Sequence, residues 1–338
     1  MELTAKQNLP VISDREAKRN GFRALYYKEV RDYFRSLKFI IVLVLVAVLG
    51  LTGVYGAFNG IQDAIGSSNS ASYTLLSLFT EQGASWPSFV WFLMFLGPLV
   101  GMALGFDAIN GERSRRTLSR LLAQPIHRDA VINGKFWAGV TVLAIMVFAL
   151  GFFVIGFGIA ALGLVPTLEQ LLRIVIFLFF TVVYMALFLA LAQLFSLLFR
   201  HMATSALMGI AVWLFLAIFL SLLAGVIANV LFPLPETTTA ANLPNAINNY
   251  RCSQFIKRLS PSTLYSEAVV TVLNPNVRTL DLVSLSLQQQ SSIMLITELP
   301  LGQSLLLVWP HLTGLIALAM VCFGVSYVVF MRQEIRAD

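Results

Sequence analysis

The chain has 338 residues, of which 58% are hydrophobic and 12% are charged, about half the charged share of a soluble domain. With a mean hydropathy of +0.80, it could not cover a soluble fold with polar groups. The composition therefore excludes a soluble globular enzyme and a disordered chain, and two cysteines are too few for a disulfide scaffold. It predicts a polytopic helical membrane protein.

Six apolar runs are long enough to cross a bilayer as helices, since a span needs roughly 20 such residues. The third and fifth runs exceed the hydrocarbon thickness, so we expect them to tilt, kink or protrude. The first 38 residues are polar and basic, so we expect no cleaved signal peptide. The prediction is an all-α membrane protein. Its spans lie at about 39–59, 86–106, 136–162, 174–199, 202–231 and 304–331.

Lysine and arginine are distributed unevenly between the two sides of this topology. Eighteen of the 23 lie before the first span, between spans two and three, at Arg200 or in the tail 332–338, and five lie on the other side. The positive-inside rule then places both termini in the cytoplasm. We expect the membrane to be the plasma (inner) membrane. The net charge of +6 is explained by topology, so no nucleic-acid partner is expected.

Within the N-terminal segment 1–38, residues about 20–37 are predicted to form an amphipathic helix directly before the first span. A basic helix with an apolar aromatic stripe suits the cytoplasmic membrane interface, so membrane lipid is an expected partner. The alternative is a soluble helix packed on another surface. The stripe consists of Phe22, Leu25, Tyr26, Val30, Tyr33, Phe34 and Leu37.

The segment 232–300 is rich in Asn, Pro, Ser, Thr and Gln and is predicted to be an extracytoplasmic loop. One helix is predicted inside it, with Ser260 as its cap, Pro261 at its first position and Asn274-Pro275 at its end. Its apolar stripe is expected on the outer membrane surface or against the helix tips. The remainder of the loop has no assignable pattern.

Catalytic and cofactor motifs are absent from the sequence. Gly134-Lys135 is followed by Phe136 and lacks the upstream glycine of a Walker A motif, so the chain is not expected to bind ATP. No metal-ligand spacing or paired-carboxylate arrangement occurs, so we predict no catalytic, cofactor-binding or metal residue. The cores of the six spans hold no Asp, Glu, Lys or Arg, which disfavours an ion-coupled carrier.

Two features inside the spans have alternative interpretations. Gly97, Gly101 and Gly105 form a ridge of small residues that serves either packing within the chain or a dimer or gating contact. His311 follows Pro310 in the outer part of span six. It is either a helix-packing residue beside a kink or a residue that lines a substrate pathway.

The cytoplasmic loop 107–135 carries the most specific pattern. An acidic residue, Thr-Leu, Leu-Leu, a proline, an arginine and Gly-Lys occur there in order. Together with Tyr27-Lys28-Glu29, the six-span layout and Leu259-Ser260-Pro261, this pattern resembles the permease subunits of type-2 ABC transporters, including those of nitrous-oxide-reductase maturation and gliding motility. The residues that carry it in the loop are Glu112, Thr117, Leu118, Leu121, Leu122, Pro125, Arg128, Gly134 and Lys135.

This resemblance implies a cytoplasmic coupling helix between spans two and three that sits in a groove of a separate ABC ATPase subunit. ATP and magnesium would bind to that subunit, with no cofactor in this chain. It further implies a second permease copy or a paralogue, and an N-terminal elbow helix. Family members often have glycine where this chain has Arg116, which bears on the geometry of the local turn. The candidate docking residues are Glu112, Arg115, Arg116, Leu118, Leu121, Leu122, Pro125 and Arg128.

Three functions remain open at this point. The first is an exporter subunit that moves a hydrophobic, peptidic or glycan-like substrate. The second is a mechanical transmitter of the same family that acts on an extracytoplasmic protein through the 232–300 loop. The third is an ATP-independent channel or secondary carrier, which the charge-free spans and the loop pattern disfavour.

Overall fold

The computed structural model of the chain describes residues 14–66, 75–80, 87–117, 127–163, 165–233, 243–275 and 299–333. Side chains at 14–20, 63–66 and 243 lie outside this description.

The described residues form helices and connecting turns, without strands. Six of the helices are long and apolar enough to cross a membrane: Leu37–Gln62, Phe89–Ser114, Arg128–Leu162, Leu168–Leu198, Met202–Leu231 and Leu301–Arg332. The prediction of an all-α protein with six spans is therefore confirmed. The helices are α1 (Asp14–Arg35), α2 (Leu37–Gly66), α3 (Ser77–Thr80), α4 (Phe89–Gly105), α5 (Asn110–Ser114), α6 (Arg128–Leu162), α7 (Leu168–Leu198), α8 (Met202–Leu231), α9 (Leu243–Lys257), α10 (Pro261–Leu273) and α11 (Leu301–Arg332).

α6 and α7 begin more than one turn earlier than the apolar runs that predicted them. α7 starts at Leu168 because Thr167 and Gln170 form a capping box, in which each side chain bonds the other's main-chain N–H. α6 starts at Arg128. Consequently Arg173 and Lys135, which the sequence places at span boundaries, lie inside helices.

α7 is the central helix of the bundle. It packs against α4, α6, α8, α10 and α11, and its side chains Phe177, Tyr184 and Phe188 are fully buried. In contrast, most of the apolar side chains on α2, α8 and α11 are exposed or partly exposed, and Leu222 and Val230 are examples of the exposed ones. A helix that is apolar around its circumference is suited to lipid rather than water.

The glycine ridge of α4 faces α7. A Cβ atom at Gly101 would clash with the main-chain oxygen of Met185, and one at Gly105 would lie 2.7 Å from that of Leu189. At Gly97 it would lie 3.2 Å from the methyl group of Met185. In this structure the ridge is a packing surface within the chain, and it lets the backbones of α4 and α7 touch.

At the end of the bundle where α7 begins, α10 is packed among the spans. Tyr265 stacks on Tyr184 with ring centroids 4.3 Å apart, and its hydroxyl lies 2.9 Å from Thr181 Oγ1. Burial raises the pKa of Tyr265, so its phenol stays neutral. We call this end of the molecule the α10 end and the opposite end, where α1 lies, the α1 end.

α10 begins where it was predicted to begin, but without the predicted side-chain cap. The helix begins at Pro261 and ends at Leu273 with Asn274 as its C-cap, but the Ser260 side chain makes no capping bond. It bonds to Ser262 Oγ instead, at 2.7 Å. α9 was not predicted at all; it packs on α8, where Asn249 Nδ2 donates to Asn229 Oδ1.

Arg173 ties three elements together at the α10 end. Its side chain is 2% exposed and forms an ion pair of 2.9 Å with Glu169. The guanidinium also donates to the main-chain oxygen of Val272 at 2.9 Å and to that of Leu299. Because Leu299 N–H donates to the oxygen of Pro275 at 2.9 Å, the two ends that flank residues 276–298 are joined.

Candidate functional site

The α1 end brings the N-terminal helix against the third span. Leu25 is buried and would contact a Cβ atom at Gly134 at 3.0 Å, so the glycine allows the close approach of α1 to α6. Tyr26 hydroxyl lies 2.8 Å from Thr141 Oγ1, and Tyr33 hydroxyl donates to the main-chain oxygen of Leu104. Burial raises the pKa of Tyr33, and the carboxylates of Glu29, Asp107 and Glu112 raise it further, so its hydroxyl remains a donor.

Of the predicted apolar stripe, Leu25, Tyr26, Val30 and Tyr33 are buried or partly buried against the bundle, and Phe34 is exposed. The Phe22 ring stacks on that of Tyr26. The stripe therefore packs within the chain for much of its length. Placement of α1 in the membrane interface stays a prediction.

A buried ion cluster joins three helices at this end. The ammonium group of Lys135 lies 3.1 Å from Glu29 of α1 and 2.7 Å from Glu112 of α5. The Lys135 side chain is 5% exposed. Charges held this far from water must be compensated by close partners, and removal of one partner is strongly destabilising. We refer to Glu29, Glu112 and Lys135 as the Lys135 cluster.

A cavity of about 390 Å³ lies beside the Lys135 cluster, between α1, the end of α4 and α5. Its charges are mostly paired with one another: Lys38 with Asp107, and Lys28 with Glu29 and Asp32. The Lys38 ammonium also lies over the ring of Phe106. Mutually neutralised walls of this kind hold helices together rather than attract a ligand of one charge.

The predicted docking residues separate into three groups. Glu112 is engaged in the Lys135 cluster, and Arg128 donates to the main-chain oxygen of Gln333 at 2.9 Å. Arg115 and Arg116 are exposed to solvent. Leu118, Leu121, Leu122 and Pro125 lie outside the described residues.

Arg116 has a positive φ of 55°. This left-handed region is unfavourable for residues with a Cβ atom and favourable for glycine. The position where the sequence departs from the family pattern is therefore one whose backbone suits the family's usual residue.

His311 is buried on α11 and faces α10. Its Nε2 lies 2.8 Å from Glu267 Oε2, and the same carboxylate oxygen accepts from Arg258 Nε at 2.9 Å. The histidine thus takes part in a helix-to-helix contact. In the described part of the chain no group of His, Cys, Asp and Glu could hold a metal ion, and Cys252 and Cys322 are free.

Residues 23–335 match the family model of the ABC-2 family transporter proteins. The chain belongs to the ABC-2 transporter family. The matched range extends from α1 through all six spans to the residues after α11, so it includes the Lys135 cluster and the whole of 107–135. This ABC-2 chain is therefore a membrane permease subunit.

A curated relative agrees with this assignment. The probable ABC transporter permease protein NosY of Pseudomonas aeruginosa is 34% identical over 91 residues. That alignment covers 27% of the ABC-2 chain and 32% of NosY, so the likeness to NosY concerns about a third of its length.

Sequence reasoning missed three residues of the α1 end in this ABC-2 permease. Glu29 was part of the Tyr27-Lys28-Glu29 pattern but received no role, and Arg113 and Gln333 received none. Glu29 stands one helical turn after the apolar Leu25 on the inward side of α1, which was the available signal. For Gln333, which contacts Arg113 and Arg128, no local signal exists.

Proposed function

We propose that this permease couples ATP hydrolysis by a separate ABC ATPase subunit to export of a substrate across the membrane. The observation that carries the proposal is the Lys135 cluster, which fastens α1 and α5 to the first turns of α6. The segment predicted to dock on the ATPase lies between α5 and α6. A force applied to it therefore acts on three helices at once.

The charge distribution and the family resemblance indicate the end of the permease at which the ATPase would bind. The positive-inside rule assigns the α1 end to the cytoplasm, where the ATPase would bind. Leucines 118, 121 and 122 would fill an apolar groove of that subunit, and the exposed Arg115 and Arg116 would face its acidic rim. Closure of two ATPase subunits on ATP would then favour one state of a permease pair over another.

The test is purification of the tagged chain from its native membranes in a mild detergent, followed by mass spectrometry. We expect a soluble subunit with a Walker A motif in the eluate. The double variant Leu121→Glu and Leu122→Glu should lose it because a charged pair cannot enter an apolar groove. A matched control is Val165→Glu with Leu168→Glu at the α10 end, where both side chains are exposed, at 81% and 76%.

Two results would count against the proposal. Equal recovery of the ATPase with both double variants would overturn docking through Leu121 and Leu122. A chain that purifies alone and supports flux without ATP in liposomes would favour the ATP-independent carrier.

One observation favours a second candidate, the mechanical transmitter. The bonds from Arg173 and Leu299 attach both ends of 276–298 to α7, α10 and α11, so movement of these helices would displace that segment. Replacement of 276–298 by a short Gly-Ser linker distinguishes the two functions. Loss of a copurifying extracytoplasmic protein, with ATPase binding unchanged, would favour the transmitter, and unchanged ATP-dependent export would favour the exporter.

A further inference from the structure

Gln333, the residue directly after α11, bonds to three other helices. Its Oε1 accepts from Arg113 of α5 at 2.9 Å, and its main-chain oxygen accepts from Arg128 of α6, also at 2.9 Å. Its Nε2 donates to the main-chain oxygen of Leu197 in the last turn of α7 at 3.1 Å. Its main-chain N–H donates to the main-chain oxygen of Val329 in the last turn of α11. Every polar group of Gln333 is thus engaged.

These bonds connect the two flanks of one segment. Arg113 precedes residues 118–126 and Arg128 follows them, and both arginines converge on Gln333. Both bonds are charge-assisted, which makes them shorter and stronger than neutral ones. Leu197 supplies a carbonyl at a helix end, one of the groups that has no partner within its own helix.

Apolar packing holds the junction in place. Phe330, one turn before Gln333, is fully buried with Leu25, Val131 and Leu197 in a small apolar cluster. The Arg128 guanidinium lies 5.8 Å from the centroid of the Phe330 ring. The end of α11 is therefore fixed by packing as well as by hydrogen bonds.

The chemistry of the junction selects a neutral amide. Oε1 must accept from a cation while Nε2 donates to a carbonyl, and a glutamine side chain does both. Glutamate would accept from Arg113 but would repel the carbonyl oxygen of Leu197. Lysine would repel both arginines.

We propose that Gln333 is a positioning residue that passes displacement of the 107–135 loop to α11, and so to the α10 end. This role rests on the proposed function, and it makes α11 the helix through which the displacement crosses the permease. α11 runs the length of the bundle, and in its half away from Gln333 it contacts α10 through His311 and Glu267. A helix transmits an axial or tilting displacement because its backbone is hydrogen-bonded, and Pro310 interrupts this ladder only before His311.

The test uses the complex of the full chain with its copurified ATPase in nanodiscs. Spin labels at Leu168→Cys and Leu306→Cys, both exposed, in a Cys252→Ser and Cys322→Ser background report the distance between α7 and α11 at the α10 end. We compare it without nucleotide and with ATP, Mg²⁺ and vanadate. The variant is Gln333→Met, which keeps the length of the side chain and removes both of its hydrogen bonds. The control is Arg332→Met, which changes an exposed neighbour.

We expect Gln333→Met to bind the ATPase and hydrolyse ATP as the wild type does, while the nucleotide-dependent distance change falls below half its wild-type size. Arg113→Met should have the same effect, and the double variant no more, because each single variant already removes the bond between Arg113 and Gln333. Arg113→Met also carries the test if Gln333→Met is unstable.

A distance change of wild-type size in Gln333→Met and Arg113→Met would overturn the role of Gln333 and leave the proposed function standing. A wild-type chain that purifies without an ATPase would overturn both.

Discussion

The ammonium group of Lys135 lies 3.1 Å from the carboxylate of Glu29, so a buried ion pair joins the N-terminal helix to the third span. Because Glu112 lies 2.7 Å from the same ammonium group, one cation is shared by two carboxylates. The geometry makes this lysine the least replaceable charge of the α1 end.

Replacement of Lys135 by methionine should destabilise the permease by about 3–5 kcal/mol, since it removes the buried cation that Glu29 and Glu112 share. The measurement is the midpoint of unfolding in a detergent titration. Lys28→Met is the matched control: Lys28 also contacts Glu29 but is half exposed, so its loss should cost less than about 1 kcal/mol. Similar midpoints for the two variants would contradict the structural role of Lys135.

The contact between α4 and α7 has no room for a methyl group at Gly101. Gly101→Ala forces the backbones apart at Met185 and should cost about 1–3 kcal/mol, seen as earlier loss of the monodisperse peak on heating in detergent. Gly156→Ala is the control, because nothing lies within 4 Å of a Cβ atom there, and it should be neutral or slightly stabilising. If both substitutions behaved alike, the close approach of α4 and α7 would be wrong.

The left-handed backbone at Arg116 predicts a difference between two neighbouring substitutions. Arg116→Gly removes the unfavourable Cβ interaction at φ 55°, whereas Arg115 already has an ordinary φ of −85°. Each substitution raises the conformational entropy of the unfolded chain by the same amount. Arg116→Gly should therefore be more stable than Arg115→Gly by about 1 kcal/mol. Thermal unfolding of the purified chain measures this difference, and the reverse order would exclude the left-handed turn.

Arg173→Met should loosen the start of α11, because the main-chain oxygens of Val272 and Leu299 lose a charged donor. We expect faster amide exchange at Leu301, whose N–H donates to Glu169 beside Arg173. Hydrogen exchange with mass spectrometry on peptides from 299 onward measures this. The control is Arg251→Met, which changes an exposed arginine of α9 and should leave the exchange rate of these peptides unchanged. Equal rates in the two variants would contradict the role of Arg173.

The spans were predictable because each is a long apolar run, and hydropathy is a property of the local sequence. The ends of the spans were less predictable. Arg173 and Lys135 look like boundaries in the sequence because a single charge rarely lies within a span. Each is compensated by residues distant in sequence, such as Leu299 for Arg173 and Glu29 for Lys135, and no local pattern announces such pairs.

Of the two helices in the segment 232–300, only one could be predicted from the local sequence. α10 has an apolar stripe and a proline start, and it was predicted. α9 has Pro244 as its second residue but no such stripe, and its attachment depends on the contacts of Asn249 with Asn229 and Phe232. Among the predicted docking residues, Arg115 and Arg116 are exposed, whereas Glu112 and Arg128 bond within the chain. Their docking role stays a prediction.

The pairing of Glu29 with Lys135 also sets an order of events during synthesis. Glu29 is made before the first span, and its counter-ion follows only when the third span begins. Until then the inward face of α1, with Leu25 and Glu29, has no α6 to pack against. Premature termination after the second span should therefore leave an exposed N-terminal segment that quality-control proteases can recognise. Completion of α6 would be the point at which the nascent permease first becomes protected at its amino terminus.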